Sequence, residues 1–330
     1  HVKQQPGDSK MRAFVVSEHG VAPSVISLDE PAPGPGQVKV RIKACGLNFA
    51  DLLMAKGTYQ ETPPLPFTLG LEIAGVVEAL GEGVTAPAVR TRVAVFAGSG
   101  GLAEAGVFDA SRCVEIPDEM PFDVAAGFLV AYGTSHLALT DRARLQPGER
   151  LLVLGAAGGV GLTAVELGAA MGAEVIAVAR GADKLAVAQA AGARHLLDSD
   201  TADIRAEVKA LGGADVVYDA VGGEGFKSAM RCTNAGGRIL VIGFASGDVP
   251  RIPANHLLVK NIDAMGFYWG GYLAWAPERL STSLAALMEM YRAGDLKPHI
   301  GATRTLDKAG EAMDLLRQRK VSGKVVVTMD

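Results

Sequence analysis

The sequence of 330 residues has few cysteines, few aromatic residues and no large excess of charge of one sign. Its three cysteines, Cys45, Cys113 and Cys232, lie far apart, so they form neither a disulfide framework nor a tetrahedral metal knuckle. Aromatic residues make up 5% of the chain, which leaves few side chains for stacking on single-stranded bases. The net charge of -4 contains no block of like charge, which argues against nucleic acid or an anionic membrane as the main partner. This cysteine usage favours a reducing cytoplasm.

Apolar residues and glycine, by contrast, are abundant. Hydrophobic residues make up 49% of the chain and charged residues 21%, so the chain can bury a large core and is not intrinsically disordered. The 41 glycines have no periodic relation to the 16 prolines, which excludes a collagen-like chain. At about 150 residues per domain, the length predicts two domains.

The N-terminal segment and one apolar stretch decide whether a membrane is expected. Residues 1–10 are polar, and we interpret them as a tag or a disordered extension, because a strand-like run begins at Met11. Residues 151–179 are almost continuously apolar, but Glu166, Glu174 and several glycines interrupt them. Such glycines fit turns and close packing better than a lipid-facing helix. We therefore expect no membrane partner.

Two patterns of secondary structure meet near residue 124. Before it, short runs of alternating polar and apolar residues are separated by Gly and Pro turns, which predicts an antiparallel barrel or sandwich. After it, helix-period segments alternate with continuous apolar strands, the pattern of a parallel sheet buried on both faces. The strands predicted there are 150–154, 174–179, 195–198, 215–219, 238–243 and 262–266. The helices are 160–171, 184–191, 204–211, 226–232, 277–292 and 308–319, followed by a closing strand at 324–329.

A glycine-rich turn follows the first of these strands, with glycines at 155, 158, 159 and 161. Binding a dinucleotide requires a tight turn, backbone N–H groups close to the pyrophosphate, and a helix N-terminus whose dipole faces that charge. The residues from Gly158 to Gly161 supply all three. Glycine spacing alone is weak evidence, but five further strands follow at βαβ spacing. The turn therefore indicates a dinucleotide site, and a purely structural turn is the alternative.

The end of the second of these strands distinguishes NAD from NADP. An Asp or Glu at this position bonds the ribose 2′-hydroxyl of NAD, whereas an Arg accommodates the 2′-phosphate of NADP. Here the strand ends at Ala179 and Arg180, with Lys184 close behind. NADPH is therefore the predicted cofactor. A solvated surface pair of Asp183 and Lys184 is the alternative interpretation.

Several motifs, spread from Met11 to Met329, together carry a resemblance to a known family. They are GLNFADLL at 46–53, KGTY at 56–59, GLEIAGVV at 70–77, AYGT at 131–134, QPGE at 146–149 and ILVIGFASG at 239–247. With the cofactor turn in mid-chain, the sequence resembles the medium-chain dehydrogenase/reductase superfamily, and within it the zinc-independent NADPH:quinone oxidoreductases related to zeta-crystallin. The resemblance implies an α/β protein with a Rossmann doubly wound parallel sheet and a β-rich GroES-like barrel domain. The expected catalytic GroES-like domain is 11–123 with 268–330, and the expected NADPH-binding domain is 124–267.

The zinc-dependent members of this superfamily hold a catalytic metal with a Cys, a His and a second Cys. At those positions this sequence has Asn48, Leu71 and Ala126. Leu and Ala cannot ligate, and Asn is a poor ligand for zinc, so we expect no metal. Without a Lewis acid, hydride addition to a quinone or to the β-carbon of an enone is favoured, because hydrogen bonds can hold the delocalised oxyanion that forms.

The resemblance also implies which residues form the site. Asn48, Asp51 and Tyr59, clustered around one loop, are the candidate catalytic residues beside the nicotinamide. A capping role is the alternative for Asp51, and a packing role for Tyr59. The predicted cofactor-binding residues are Asn48, Thr134, Ala157, Gly158, Gly159, Val160, Arg180, Lys184, Ser199, Gly222, Phe244, Ala245, Ser246, Phe267, Tyr268, Trp269 and Lys324.

The expected activity is therefore an NADPH-dependent, zinc-independent reduction of quinones or related α,β-unsaturated carbonyls. Two alternatives stay open: an alkenal or enoyl double-bond reductase of the same fold, and an NADPH-binding module without important turnover. The expected partner is a small-molecule substrate, with neither nucleic acid nor membrane. By resemblance we expect a homodimer, and by cysteine usage a cytoplasmic protein.

Overall fold

The computed structural model describes residues 9–329. Most of the predicted N-terminal extension, residues 1–8, lies outside the described residues, whereas Lys10 already belongs to the first strand. The strands are β1 (Lys10–Val16), β2 (Ser24–Asp29), β3 (Gln37–Gly46), β4 (Phe67–Thr68), β5 (Glu72–Leu80), β6 (Arg92–Phe96), β7 (Ala105–Asp109), β8 (Cys113–Glu115), β9 (Arg150–Leu154), β10 (Glu174–Ala179), β11 (His195–Asp198), β12 (Ala214–Asp219), β13 (Thr233–Val241), β14 (Asp263–Gly266), β15 (Ile300–Thr305) and β16 (Lys324–Thr328).

Eleven α-helices accompany these strands in the part of the chain that the structure describes. They are α1 (Phe49–Lys56), α2 (Phe122–Ala126), α3 (Leu129–Leu137), α4 (Gly159–Ala170), α5 (Ala182–Ala190), α6 (Ile204–Ala210), α7 (Gly223–Cys232), α8 (Ala254–Lys260), α9 (Tyr272–Trp275), α10 (Pro277–Arg292) and α11 (Ala309–Arg317). No helix within residues 9–329 is both long and apolar enough to cross a membrane. The apolar stretch 151–179 instead forms most of β9, all of α4 and β10.

Two compact units make up the chain. The first ends at Val130 and resumes at Pro298, and the second runs from Ala131 to Lys297. The sequence placed these boundaries at 123/124 and at 267/268. The first difference arises because α2, although helical, packs on β3 and β5 of the first unit. The second arises because α9 and α10 bond other residues of the second unit, Tyr272 to Asp141 and Ser283 to His136.

The first unit is built from two sheets. The larger has the strand order β15-β16-β3-β5-β6-β8, with β7 also paired to β3, and the smaller has the order β2-β1-β4. All pairings are antiparallel except that of β15 with β16. Alternate residues of β3, including Val38, Val40 and Ile42, are buried, as expected for a sheet with one face on the core. The predicted β-rich GroES-like domain is confirmed.

The second unit contains one six-stranded sheet in which all neighbouring strands are parallel. Its order is β11-β10-β9-β12-β13-β14, so the chain moves outward from β9 on one side and then returns to continue on the other. This is the order of a Rossmann sheet, with the change of direction between β9 and β12. The predicted doubly wound fold is confirmed. The central strand β9 is wholly apolar from Leu151 to Leu154, because helices cover both faces of such a sheet.

Predicted and observed elements differ mainly at one edge of this sheet. β13 begins at Thr233 instead of residue 238 and ends at Val241 instead of residue 243. Its early start pairs Thr233 with Ala214, ahead of a register shift that leads to the pair of Arg238 with Val216. Helix α8 was not predicted at all. These elements escape a prediction based on apolar periodicity, because 234–237 is polar and glycine-rich, and α8 has no fully buried residue.

Candidate active site

The glycine turn of the second unit joins β9 to α4. Gly155 has a φ of +70°, a conformation that favours glycine, and its carbonyl accepts the N–H of Gly158 at 3.1 Å. A Cβ at Gly161 would lie 1.9 Å from the Gly155 oxygen, so only glycine fits there. Gly158 precedes the helix and has no side chain to cap it. The N–H groups of the first helical turn therefore point toward the turn as donors for an anion.

The predicted cofactor residues of the second unit follow the carboxyl ends of the strands. Because all six strands are parallel, these ends meet at one edge of the sheet. The residues that follow β9 through β14 in turn are Ala157 to Val160, Arg180, Ser199, Gly222, Phe244 to Ser246, and Phe267 to Trp269. The fold therefore places these residues along the edge where open α/β sheets bind their ligands.

The turns after β12 and β13 are tied together. The Ser246 hydroxyl donates to the Val221 carbonyl at 2.6 Å, and the Ala245 N–H donates to the Ala220 carbonyl at 3.1 Å. Gly222 has a φ of +74°, and a Cβ there would lie 2.6 Å from the carbonyl oxygen of Asp248. The predicted residues Gly222, Ala245 and Ser246 thus belong to one hydrogen-bonded surface.

A buried carboxylate accepts hydrogen bonds from the backbone of this surface. Asp219, the last residue of β12, accepts the N–H groups of Val221 and Gly222 at 2.8 and 2.9 Å. Burial raises the pKa of Asp219, and the two N–H groups oppose that shift. Sequence reasoning missed Asp219. Its signal was a carboxylate directly after a continuous apolar strand, which must find hydrogen-bond donors when it is buried.

The predicted 2′-phosphate residues lie where β10 and β11 end. The Arg180 side chain is 69% exposed and pairs with Asp200, with 3.1 Å between Nε and Oδ1. Ser199 donates its N–H to the Ala179 carbonyl at 3.0 Å, which ties the two strand ends together. Lys184 lies in the first turns of α5 and is half-buried. The Arg180 guanidinium is thus accessible to solvent. It is paired with Asp200, which the sequence analysis did not select.

The remaining predicted residues of the second unit are aromatic or lie in α3. Thr134 and Trp269 are buried, and a Cβ at Gly133 would lie 2.7 Å from the indole Nε1 of Trp269. Phe267 is also buried, with its ring centroid 5.5 Å from that of Tyr272. Tyr268 and Phe244 are exposed. Trp269 therefore packs against α3 at Gly133. Phe244 and Tyr268 expose part of their rings to solvent.

The first unit contains a buried polar cluster formed by Asn48, Glu72 and Lys324. The Lys324 ammonium donates to Asn48 Oδ1 at 2.8 Å and lies 2.9 Å from Glu72 Oε1. Asn48 Nδ2 donates to the same Glu72 oxygen at 3.1 Å, and the Val130 N–H donates to Glu72 Oε2 at 3.0 Å. Glu72 is only 1% exposed, so its charge depends on these partners. Two predicted residues, Asn48 and Lys324, therefore meet around a carboxylate that the sequence analysis did not select.

Asp51 lies beside this cluster at the start of α1, in a helix and not in the loop that the sequence suggested. Its carboxylate accepts the N–H of Asn48 at 2.8 Å and that of Gly70 at 3.1 Å. Burial raises the pKa of Asp51 to about 7, while the Asn48 N–H and the Lys324 ammonium act in the opposite direction. These contacts give the side chain a role in capping α1 and holding the turn at Gly70.

Tyr59, the third candidate catalytic residue, follows α1. Its ring is half-buried and packs on the core of the first unit, and its carbonyl accepts the Thr62 hydroxyl at 2.9 Å. Cys45, in β3, is fully buried, and burial raises the pKa of its thiol well above the ordinary value. A thiol in such surroundings is a poor nucleophile.

The donors around Asn48 do not suit a zinc ion. Of the three positions that would ligate it, Leu71 and Ala126 are apolar, and Asn48 already bonds Lys324 and Glu72. Within residues 9–329 no group of three or more His, Cys, Asp or Glu side chains could hold a metal. The cation in contact with Asn48 and Glu72 is instead the ammonium of Lys324.

Comparison with known proteins identifies the family. Two family profiles match, "Alcohol dehydrogenase GroES-like domain" at 34–118 and "Zinc-binding dehydrogenase" at 159–289. The chain is 43% identical to quinone oxidoreductase-like protein 2 homolog of Nematostella vectensis over 89% of this chain and 82% of that protein. This chain belongs to the quinone oxidoreductase-like family of the medium-chain dehydrogenase/reductase superfamily.

Other relatives of this quinone oxidoreductase-like protein carry different names. It is 36% identical to the human synaptic vesicle membrane protein VAT-1 homolog over 90% of this chain and 80% of that protein. Among solved structures, the quinone oxidoreductase of Thermus thermophilus, also determined as its complex with NADPH, matches with a TM-score of 0.85 and 32% identity. That match covers 96% of this chain and 100% of the Thermus chain. The predicted resemblance is thereby confirmed.

Proposed function

We propose that this protein transfers hydride from NADPH to quinones or related α,β-unsaturated carbonyls without a metal ion. The observation that carries the choice of substrate class is the donor set around Asn48, where an ammonium and an amide replace metal ligands. Hydrogen bonds can hold the delocalised oxyanion of a reduced quinone or enone, whereas an alcohol dehydrogenase needs stronger stabilisation of an alkoxide. The name of the Thermus relative supports the same substrate class.

NADPH supplies the hydride when it is bound. The turn from Gly155 to Gly161 would hold the pyrophosphate with the N–H groups at the start of α4, because these groups have no partner within the helix and no capping side chain covers them. Arg180 would pair with the 2′-phosphate, since a guanidinium forms bidentate hydrogen bonds with phosphate. The residues present therefore fit NADPH, and the NADPH complex of the Thermus relative supports this assignment.

The first unit would handle the charge that the hydride creates. Addition of hydride to the β-carbon of an enone, or to a quinone, leaves an electron pair on the carbonyl oxygen. The amide N–H of Asn48 would donate to that oxyanion, and one proton from solvent or from the Tyr59 hydroxyl would complete the product. Asp51 caps the start of α1, next to Asn48.

The homodimer and the cytoplasmic location of the protein stay predictions.

The test is a substrate screen with identified products. We expect chelator-treated protein to oxidise NADPH with a panel of quinones and enones, giving hydroquinones or saturated carbonyls. Loss of activity on chelation, restored by zinc, would contradict the metal-free mechanism. Saturable NADPH binding without turnover of any compound would favour the binding module, and turnover of alkenals alone would favour the double-bond reductase.

The cofactor assignment has a test of its own. We expect Arg180→Glu to lower the ratio of kcat/KM with NADPH to that with NADH by at least about tenfold, because it places a carboxylate against the 2′-phosphate. Arg194→Glu is the matched control, since Arg194 is an exposed arginine of the same unit. An unchanged ratio in Arg180→Glu would show that Arg180 does not read the 2′-phosphate.

A further inference from the structure

The contacts of Lys324 go beyond neutralising a buried carboxylate. Lys324 is the first residue of β16, and its ammonium reaches Asn48, 276 residues earlier in the chain. Its stem passes close to Gly127, the residue that follows α2, since a Cβ at Gly127 would lie 3.2 Å from Lys324 Cγ. A Cβ at Gly46 would lie 2.3 Å from the Ala126 oxygen and 3.0 Å from Glu72 Oε1. Two glycines therefore leave the space in which the ammonium and the carboxylate meet.

The two charges determine which way the Asn48 amide faces. An ammonium can only donate a hydrogen bond, so the atom of Asn48 that contacts Lys324 must be the oxygen. A carboxylate can only accept, so the atom that contacts Glu72 must be the nitrogen. The reverse orientation would place the amide nitrogen against the ammonium and the amide oxygen against the carboxylate. The pair thus fixes the orientation of an amide that would otherwise be free to turn.

One N–H of this amide is left for another acceptor. Asn48 Nδ2 carries two hydrogens, of which one bonds Glu72 Oε1 at 3.1 Å. The other has only the Gly46 carbonyl at 3.5 Å, longer than an ordinary N–H···O bond. Asn48 is also only partly buried, unlike Glu72 and Lys324. The ammonium on the amide oxygen draws electron density from the nitrogen and strengthens both of its donor hydrogens.

We propose that Lys324, held by Glu72, is a positioning residue that orients and polarises the Asn48 amide so that its second N–H meets the substrate oxyanion. This inference rests on the proposed function and adds two residues to it. A purely structural ion pair would only neutralise Glu72. In that case Lys324 would affect stability and leave the chemistry of Asn48 unchanged.

The experiment compares five variants with wild type, one of which combines Asn48→Ala with Lys324→Met. Lys324→Arg keeps the charge. Lys324→Met removes it, and Lys324→Met with Glu72→Gln removes both charges, so that no buried carboxylate is left unpaired if the single variant fails to fold. Asn48→Ala removes the amide. Lys320→Met is the control, because Lys320 is exposed four residues earlier. Folding is checked by circular dichroism, and NADPH affinity by fluorescence titration.

Loss of an oriented donor lowers kcat by about 10² to 10³ in known cases. We expect a fall of that order, with KM within about threefold of wild type, in Lys324→Met or in the paired neutral variant. Lys324→Arg is expected to recover at least about a tenth of wild-type kcat. Adding Lys324→Met to Asn48→Ala should lower kcat little further, because the effects of residues that act as a unit are non-additive. Because Asn48 and Lys324 are also predicted cofactor-binding residues, kcat is measured at NADPH concentrations that saturate each variant.

Three outcomes would overturn the inference, and the first two are distinguishable from failure of the proposed function. If wild type reduces quinones or enones and the paired neutral variant retains kcat within about threefold, Lys324 has no role through Asn48. The same conclusion follows if the effects of Lys324→Met and Asn48→Ala are additive. If wild type reduces no quinone or enone with NADPH, the proposed function fails, and this inference fails with it.

Discussion

Asp51, beside the cluster of Asn48, Glu72 and Lys324, offers a test of its own burial that needs no substrate. Its carboxyl is 1% exposed, and burial raises its pKa from 3.8 to about 7. In the unfolded chain the pKa returns to about 3.9. Because the folded pKa is the higher one, the folded protein holds the proton more tightly. This group therefore contributes stability at low pH, and the contribution is lost as the pH rises toward the folded pKa.

The size of this effect follows from the two pKa values. One pKa unit corresponds to about 1.4 kcal/mol, so the full effect between acid and alkaline limits is about 4 kcal/mol. Between pH 5 and pH 8 it amounts to about 2.5 kcal/mol, and most of that falls below pH 7. Asp51→Asn has nearly the same shape but does not titrate, so this pH dependence should disappear. The variant also loses one acceptor for the N–H groups of Asn48 and Gly70, which lowers stability at every pH.

The assay must report on the first unit. Both tryptophans, Trp269 and Trp275, lie in the second unit, so their fluorescence is unsuitable. Hydrogen exchange of peptides from β3 and β5, compared between wild type and variant at the same pH, gives the free energy of opening in the right place. We expect the advantage of wild type over Asp51→Asn to shrink by about 2.5 kcal/mol from pH 5 to pH 8.

A matched control is Asp118→Asn, which changes an exposed carboxylate of the same unit. This variant controls for the loss of one acidic side chain. If the curves of wild type and Asp51→Asn run parallel from pH 5 to pH 8, Asp51 is not protonated preferentially in the folded protein. The interpretation of Asp51 as a buried carboxyl with a raised pKa would then be refuted.

Two further predictions concern the second unit. Gly161→Ala should weaken NADPH binding at least about tenfold in a fluorescence titration, because its Cβ would lie 1.9 Å from the Gly155 oxygen. Gly310→Ala, which meets nothing within 4 Å, is the control, and equal affinities in the two variants would contradict the prediction. His136 bonds Ser283 at 2.7 Å, and burial lowers its pKa from 6.5. Tryptophan-monitored urea unfolding should therefore show stability falling as the pH drops below about 6.5, because the unfolded chain then binds the extra proton. If a His136→Gln variant has the same pH dependence of stability as wild type, His136 is not the cause of that dependence.

The sheet of the second unit could be predicted largely from sequence. β9, β10, β11 and α10 have the predicted bounds to the residue. Continuous apolar runs that end at a glycine or a charged residue define such strands, since both of their faces are covered. β13 was predicted less well, because its first residues are polar and pair with β12 across a register shift. Register is a property of two strands, so the apolar pattern of one strand does not contain it.

The candidate site was predicted in part, and the missed residues are the charged ones at its centre. Asn48 and Lys324 were selected through motifs, but Glu72, which joins them, was not. No local pattern brings together residues 276 positions apart. A general rule was nevertheless available from the sequence. Glu72 stands between Leu71 and Ile73 at the start of an apolar strand, and Lys324 precedes three valines.

Charges embedded in apolar strands are rarely buried alone, because an unpaired ion loses several kcal/mol of solvation. An acidic residue in one apolar strand and a basic residue in another therefore predict each other as partners, even when their order in the fold is unknown. Applied to this chain, that reasoning marks Glu72 and Lys324 as candidates for a pair, but Lys39, Arg41 and Glu78 also stand between apolar residues, so the choice of partner comes from the structure. The amide between them then gains a fixed direction, which is the property that a catalytic donor needs and that a motif alone does not reveal.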